Sequence, residues 1–372
     1  MFQQNSNSPA YEPTGDFFAE LARRCELIRD FILDPRFVQR FHPEEIRWAV
    51  TAYARYGGKR LRPAILLFSA GAVGGNEYQA LPAAAAVEIF HTWTLVHDDI
   101  IDRDALRRGQ VTVHEHYRRN CLEENGSLRL NSSEAQHYGV SIAILTGDIQ
   151  HGWGISMMTE LASRGVDPLL TIELINDLDT GVLNTLVEGE VLDVQYSHRD
   201  FESLTPEDIE SMLWKKTGAL YEFCGRAGAR IGLGGKPSPL VTEVAQFAAL
   251  CGTAFQLQDD ILGVIGNEEK LGKPIGSDLR EGKRTLVVHY AYQNASQKER
   301  DELLKVLGNQ AATEEDVHRT IDLLRDLGGI EIVAKRAKDL IAEARNHLNA
   351  LPDTPYRSLL DQWAGYMIQR QF

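Results

Sequence analysis

The chain has 372 residues, of which 43% are hydrophobic, enough for a large core and too many for a disordered or low-complexity protein. Acidic residues outnumber basic ones by 53 to 39, and the net charge of −14 disfavours nucleic acid as a partner unless basic residues cluster locally. No apolar run approaches the ~20 residues that cross a bilayer, and the polar N-terminus lacks the order of a signal peptide. The cysteines are widely spaced, which predicts reduced thiols in a cytoplasmic protein; they are Cys25, Cys121, Cys224 and Cys251.

Residues 1–15 are rich in Asn, Ser, Gln and Pro and are predicted to form a disordered N-terminal arm, followed by one domain over residues 16–372. From Asp16 onward, apolar residues recur at steps of three and four, the spacing of one helix face. The candidate helices are, in order, 16–34, 43–55, 63–74, 80–103, 139–163, 168–197, 206–232, 238–265, 284–294, 296–308, 313–327, 329–350 and 354–370. Alternating strand patterns are nearly absent, so we predict an all-α protein.

One polar segment, residues 118–137, lies between two helical patterns and is rich in Asn, Ser and Glu. This composition predicts a solvated surface loop inserted into the domain. A lid over a functional site and a surface for a partner are the alternative interpretations, and the sequence does not distinguish them.

Two acidic clusters each end an apolar helical pattern. In HTWTLVHDDIID, Asp98 and Asp102 are four residues apart and share one helix face. In FQLQDDILG, about 160 residues later, Asp259 and Asp260 form a second pair, and Gly263 stands where a further acid would repeat the first pattern. Either cluster alone would be typical of a solvated acidic face. Together they predict a cavity for metal ions and a polyanion, because Mg²⁺ is usually held by a few carboxylates plus substrate phosphates.

Basic residues flank both acidic clusters and supply the positive charge that a polyanion requires. They lie in GGKRLRP at 57–63, in Arg107 and Arg108, in Lys215 and Lys216, and in GKPIGSDLREGKRT at 272–285. The planar guanidinium of Arg can donate two hydrogen bonds to one phosphate group, whereas the ammonium group of Lys acts as a point charge. Each cluster alone would be a solubilising charge, but jointly they favour a metal-bridged diphosphate site.

With these motifs in this order, the chain resembles the trans-isoprenyl diphosphate synthases, the family that includes farnesyl and geranylgeranyl diphosphate synthases, over about residues 16–370. The resemblance implies the isoprenoid synthase fold, a single large α-helical bundle around a central cavity, usually assembled as a homodimer. It also implies the reaction, in which isopentenyl diphosphate is condensed head-to-tail with an allylic diphosphate, with three Mg²⁺ ions expected as cofactors.

The resemblance further implies roles for individual residues. The metal ligands would be Asp98, Asp102 and Asp259, with Asp99, Asp260 and Asp278 in outer positions. Isopentenyl diphosphate would be held by Lys59, Arg62, His91 and Arg108. The allylic diphosphate would be held by Arg107, Lys216, Lys273 and Lys283. Thr217 and Gln256 would stabilise positive charge on the allylic carbon, so that the residues expected to act in catalysis are Asp98, Asp102, Lys216, Thr217, Gln256 and Asp259.

Product length is expected to depend on the helix that carries Asp98. Trp93 lies five residues earlier, about 7.5 Å deeper at 1.5 Å per residue, and would form the floor of the pocket, while Thr94 leaves room. Family members with an aromatic residue only at this position often stop at C20. We therefore expect geranylgeranyl diphosphate as the product, with farnesyl diphosphate (C15) as the alternative; the other interpretation of Trp93 is ordinary core packing.

Three further functional classes compete with this interpretation. A terpene cyclase would share the fold and the first acidic motif but needs a different second motif and no GGKRLRP segment. A non-catalytic partner subunit of a synthase would be expected to lose metal-binding or basic residues, which here are intact. An acidic helical scaffold would leave the placement of the basic clusters unexplained.

Overall fold

The computed structural model describes residues 13, 16–122, 128, 130–266 and 275–369. Over these residues the chain is built from α-helices, and the strands Leu106–Arg107 and Gln110–Val111 pair antiparallel with Arg107 opposite Gln110. The predicted all-α class is confirmed. Apart from Pro13, the arm expected at 1–15 lies outside the described residues.

The α-helices, numbered in chain order, are α1 (Phe17–Ile32), α2 (Pro35–Val38), α3 (Glu44–Arg55), α4 (Leu61–Ala72), α5 (Leu81–Ile101), α6 (Val113–Leu122), α7 (Ser132–Ser163), α8 (Pro168–Asn176), α9 (Leu183–Tyr196), α10 (Pro206–Leu213), α11 (Ala219–Gly232), α12 (Leu240–Ile265), α13 (Ser277–Glu281), α14 (Leu286–Asn294), α15 (Gln297–Val306), α16 (Glu314–Asp326), α17 (Gly329–His347) and α18 (Pro355–Gln369). Turns of π-helix, Asp177–Val182 and Trp214–Gly218, join α8 to α9 and α10 to α11. Short 3₁₀ turns span Glu77–Ala80, Phe201–Ser203 and Leu348–Ala350.

Helix α5 lies in the core of the bundle. Ala83–Val87 and Phe90 are completely buried, and α5 packs against α4 and α7. Helix α11 in turn packs between α4 and α12. Alanine and glycine allow this close approach, and the apolar run of α5 ends at Asp98, so the acidic residues emerge from a rigid, buried helix.

The polar segment 118–137 is only partly a loop, which corrects its predicted extent. Helix α6 runs through Leu122 and α7 begins at Ser132, so both ends of the segment are helical. The reason lies in local contacts that polarity alone does not reveal. Asn131 and Glu134 form a capping box at the start of α7, and Glu115 pairs with Arg118 within α6.

Helix α12 is more apolar than the sequence analysis indicated, and it meets the length and hydropathy of a membrane-spanning helix. It has 26 residues and a mean hydropathy of 1.3 over its most apolar 18 residues, enough to cross a membrane by length and composition. Half of that stretch is buried inside the protein, and the helix packs against α11 and α17. The apolar residues are therefore accounted for by core packing, as expected for the central helix of a bundle.

We expect Gly228→Ala to test the α4–α11 contact. A Cβ at Gly228 would lie 2.2 Å from the carbonyl oxygen of Leu66 in α4, so the two helices would have to separate. This overpacking should lower the free energy of unfolding by about 2 kcal/mol, measured by urea titration. The matched control is Gly365→Ala in α18, where the nearest atom belongs to the movable guanidinium of Arg345 at 3.4 Å; an equal loss there would contradict the explanation.

Candidate active site

A cavity of about 960 Å³ lies among α4, α5, α9, α11 and α12. It brings together almost all of the residues for which the resemblance implies a role. The predicted residues that line it are Lys59, Arg62, His91, Trp93, Thr94, Asp98, Asp102, Arg107, Arg108, Lys216, Thr217, Gln256, Asp259, Asp260, Asp278 and Lys283. Asp99 is not part of the lining, and Lys273 lies outside the described residues.

The two acidic motifs face the same cavity from different helices. Lys283 lies between the first motif and the carboxylates of α13. Its Nζ lies 3.1 Å from Asp102 Oδ2 at the end of α5, 3.7 Å from Asp278 Oδ1 and 3.0 Å from Glu281 Oε2. Burial lowers the pKa of Lys283, but these carboxylates and Asp193 outweigh it, so the pKa lies well above its ordinary value. The ammonium group is therefore charged and held across the cavity between α5 and α13.

Gly263, where the second motif departs from the first, makes room for a carboxylate from elsewhere. A Cβ at Gly263 would lie 2.8 Å from Asp278 Oδ2. The backbone N–H of Gly276 donates to the carbonyl of Gly263 at 3.0 Å, which draws the segment before α13 onto α12. Asp278 thus occupies the space that a side chain at position 263 would need, and the second acidic cluster has a carboxylate that local spacing does not reveal.

Lys216 is surrounded by acids that sequence reasoning missed. Its Nζ lies 2.5 Å from Asp193 Oδ2 and 2.8 Å from Glu190 Oε2, both on α9. Burial raises the pKa of Glu190 to about 7, and burial also raises the pKa of Asp98, with Lys216 opposing and Asp102 adding to the increase. The available signal was the pair of acids three residues apart in the helical stretch GEVLD, which share a helix face.

Asp99 holds an arginine at the cavity wall. Its carboxylate accepts a hydrogen bond from Arg107 Nε at 2.8 Å and another from the hydroxyl of Tyr53, and the side chain is 1% exposed. Arg107 also pairs with Asp104 at 3.2 Å. In this structure Asp99 is thus engaged by Arg107 and Tyr53, outside the cavity in which its predicted outer metal position would lie.

The residues predicted to hold isopentenyl diphosphate, Lys59, Arg62, His91 and Arg108, are here called the basic cradle. Arg62 Nη1 lies 3.2 Å from His91 Nε2. Burial, then Arg62, Arg108 and Arg107, hold the pKa of His91 well below its ordinary value, so the ring is neutral and Nε2 accepts from the guanidinium. The cradle therefore gathers several cations around one uncharged imidazole.

Backbone conformation aims Arg108 into the basic cradle. Arg108 and Gly109 form the two-residue turn of the short hairpin, with φ of 54° and 72°, the left-handed values that such turns require. The Arg108 guanidinium donates to the carbonyl of Gly57. Gly58 has a φ of 135°, and a Cβ there would meet the same guanidinium at 2.5 Å. The glycines of the GGKRLRP segment therefore allow its backbone to touch the arginine.

A chain of hydrogen bonds orients Thr217 and Gln256. The Thr217 hydroxyl donates to Gln256 Oε1 at 2.9 Å, and Gln256 Nε2 donates to Asp260 Oδ1 at 3.0 Å. Thr217 and Lys216 belong to the π-helical turn Trp214–Gly218. Asp260 is buried, burial raises its pKa well above the ordinary value, and among the described residues its Oδ2 has no hydrogen-bond partner.

The donor set fits a hard divalent cation. Asp98, Asp102 and Asp259, called the acidic site below, all line the cavity, and their oxygens are the ligands that Mg²⁺ prefers. Within the described part of the chain, no three acidic, His or Cys side chains converge as a complete metal site. That is compatible with Mg²⁺, which is commonly held by one or two carboxylates together with waters and substrate phosphates.

Comparison with known proteins agrees with this geometry. The polyprenyl synthetase family model matches residues 43–324. The chain is 34% identical to geranylgeranyl diphosphate synthase of Methanosarcina mazei, covering 89% of this chain and 91% of that protein. It is 32% identical to geranylfarnesyl diphosphate synthase of Aeropyrum pernix, covering 92% and 99%.

Among solved structures, geranylgeranyl pyrophosphate synthase from Corynebacterium glutamicum, complexed with isoprenyl diphosphate and magnesium, has a TM-score of 0.80 and 28% identity, covering 94% of this chain and 99% of that one. The isoprenoid synthase fold is thereby confirmed. Because the family model matches most of the chain and the fold agrees, the protein belongs to the polyprenyl synthetase family.

Proposed function

We propose that this protein is a magnesium-dependent trans-prenyltransferase that joins isopentenyl diphosphate head-to-tail to an allylic diphosphate. The observation that supports this most strongly is that one cavity is lined by both the acidic site and the basic cradle. Two diphosphates can therefore be bound in one enclosure by different chemistry, one through carboxylates and metal ions and one through cations of the protein.

The allylic diphosphate is proposed to bind at the acidic site. Arg107, Lys216 and Lys283 line the same cavity and offer cations to its oxygens. Carboxylates already hold these cations in place, so little reorganisation is needed when the C–O bond breaks and charge moves to the leaving diphosphate. Asp98, Asp102 and Asp259 would hold magnesium, which would supply Lewis-acid stabilisation of the leaving group.

The carbon that becomes positive needs weak dipoles and no water. The Thr217 hydroxyl donates a hydrogen bond to Gln256. The lone pairs of the Thr217 oxygen therefore remain available to the allylic carbon. Leu220, Phe255 and Leu186 line the cavity as well and keep its surroundings apolar. The double bond of isopentenyl diphosphate, held by the basic cradle, then attacks the allylic carbon, and the adduct loses a proton from C2 to the departed diphosphate.

The proposed product is geranylgeranyl diphosphate, with farnesyl diphosphate as the shorter alternative. Trp93 lines the cavity together with His97, and the α7 residues behind them are not part of the lining. The Trp93 ring packs 4.9 Å from Phe90 and 5.4 Å from His151, measured between ring centres. A braced indole at this point would stop a growing prenyl chain. The Methanosarcina mazei relative, named for the C20 product, supports this length.

A homodimer is proposed from exposed apolar residues on the neighbouring helices α7 and α8. Leu169 and Ile172 on α8 are 70% and 62% exposed, and Ile144 and Leu145 on α7 are 45% and 51% exposed. Large apolar side chains exposed on neighbouring helices are typical of an interaction surface. A second copy of this chain is the occupant that we propose.

The proposed compartment is the cytoplasm. Its support is chemical: the cysteines are free thiols, with Cys121, Cys224 and Cys251 buried. Reduced thiols of this kind suit a reducing environment.

Purified protein supplied with Mg²⁺, isopentenyl diphosphate and a C5, C10 or C15 primer should form a C20 diphosphate, identified by mass spectrometry. Asp98→Asn and Asp259→Asn should each lower kcat at least about 100-fold, because an electrostatic contribution to the ionisation step is lost, and chelation of Mg²⁺ should abolish turnover. Asp326→Asn, on an exposed residue of α16, is the control and should keep full activity. A wild-type protein without prenyl transfer would favour the non-catalytic partner subunit instead.

Trp93→Ala should lengthen the product beyond C20, since the floor of the pocket would be removed. Product chain lengths are compared by mass spectrometry at equal turnover. Trp48→Ala is the matched control, because Trp48 stacks on His116 outside the cavity at 3.8 Å between ring centres. An unchanged product distribution in the Trp93 variant would assign that residue to core packing alone.

Ile172→Glu should convert the proposed dimer into monomers of 41.6 kDa, measured by light scattering coupled to size-exclusion chromatography. Burying a charge in an apolar interface is strongly unfavourable. Leu304→Glu, at a residue 46% exposed on α15, should leave the mass unchanged. A wild-type protein that already elutes as a monomer would refute the dimer.

A further inference from the structure

The GGKRLRP segment contains an arginine that none of the roles above uses. Arg60 has a φ of 43°, a left-handed conformation that is disfavoured for a residue with a Cβ, and it directly precedes α4. Its side chain points inward and is 4% exposed. The guanidinium donates from Nη2 to the carbonyl of Ala54 at 2.7 Å. Arg60 therefore anchors the segment to the protein, while its neighbours Lys59 and Arg62 belong to the basic cradle.

Facing Arg60 is a carboxylate that no step of the reaction requires. Glu88 lies on α5, one turn before His91, and its side chain is 1% exposed. Glu88 Oε1 is 3.6 Å from Arg60 Nε. Among the described residues neither of these two atoms has a hydrogen-bond partner. A carboxylate so deeply buried is tolerated only near compensating positive charge.

The surroundings of Glu88 supply that charge. Burial lowers the pKa of Arg108, Glu88 acts against this effect, and repulsion from Arg60, Arg107 and Arg62 adds to it. Glu88 thus offsets the repulsion within the basic cradle before any substrate binds. It also links the segment that presents Lys59 and Arg62 to the helix that carries the acidic site.

We propose that Glu88 and Arg60 are positioning residues for isopentenyl diphosphate: their buried ion pair holds the GGKRLRP segment in its left-handed turn and keeps Arg62 and Arg108 directed into the cavity. This inference rests on the proposed function, because it assigns the basic cradle to isopentenyl diphosphate. Neither residue contacts the acidic site in this structure. Their loss should therefore affect one substrate and spare the other.

The test compares the KM values of the two substrates in Glu88→Gln and Arg60→Gln. Each variant should raise KM for isopentenyl diphosphate about tenfold, because the cations that bind this substrate would be misplaced. The KM for the allylic diphosphate should stay within about twofold, since its binding groups are elsewhere. The double variant should be no worse than Arg60→Gln alone, because that single change already removes the ion pair and the bond to Ala54. Arg60→Lys, which keeps the charge, should recover part of the loss.

Glu77→Gln is the matched control. Glu77 is 2% exposed and pairs with Arg24, which is 0% exposed, outside the cavity. This variant should lose stability comparably and leave both KM values unchanged. If Glu88→Gln does not fold, Glu88→Asp, which keeps the charge at shorter reach, takes its place.

Two outcomes would overturn the inference: KM values for both substrates that rise together, or no change in either. An inactive wild-type protein would instead remove the proposed function on which the inference rests. The two failures are therefore distinguishable.

Discussion

Charges that point into one enclosed cavity are tolerated only when opposite charges lie close by, and this constraint organises the whole site. Lys283 lies against Asp102, Lys216 against Asp193, and Arg107 against Asp99. The pair of Lys283 and Asp102 joins segments that are 181 residues apart in the chain, and the other two pairs join segments closer in sequence. The apolar packing of the bundle supplies the rigidity, and the pairs determine where each charge stands before any substrate arrives.

The same constraint explains why a neutral histidine lies among arginines. His91 receives a hydrogen-bonding guanidinium from Arg62 without adding a charge of its own. A further cation there would increase repulsion in a region where burial and the neighbouring arginines already lower the pKa of Arg108. The cavity thus contains two sets of groups suited to anions: the carboxylates of the acidic site, which would need a metal ion, and the cations of the basic cradle, which would not.

Much of this arrangement could be predicted from the sequence, because both helices and motifs are local patterns. The predicted helix 80–103 corresponds to Leu81–Ile101, and Asp98 and Asp102 line the cavity, whereas Asp99 does not. Helix α6 was missed because its sequence is mostly polar, and its stability comes from pairs such as Glu115 with Arg118. The acids around Lys216 and the space at Gly263 were missed for another reason: the contacts join residues distant in sequence, and only tertiary packing brings them together.

The geometry of the site depends on the number of residues in the π-helical turn Trp214–Gly218. A π turn holds one residue more than an α turn, so its loss would rotate everything beyond it by about 100° around the helix axis. Lys216 and Thr217 lie within this turn, and a Cβ at Gly189 of α9 would lie 2.3 Å from the Lys216 backbone nitrogen. Deleting one residue here would turn both side chains away from the proposed site of reaction.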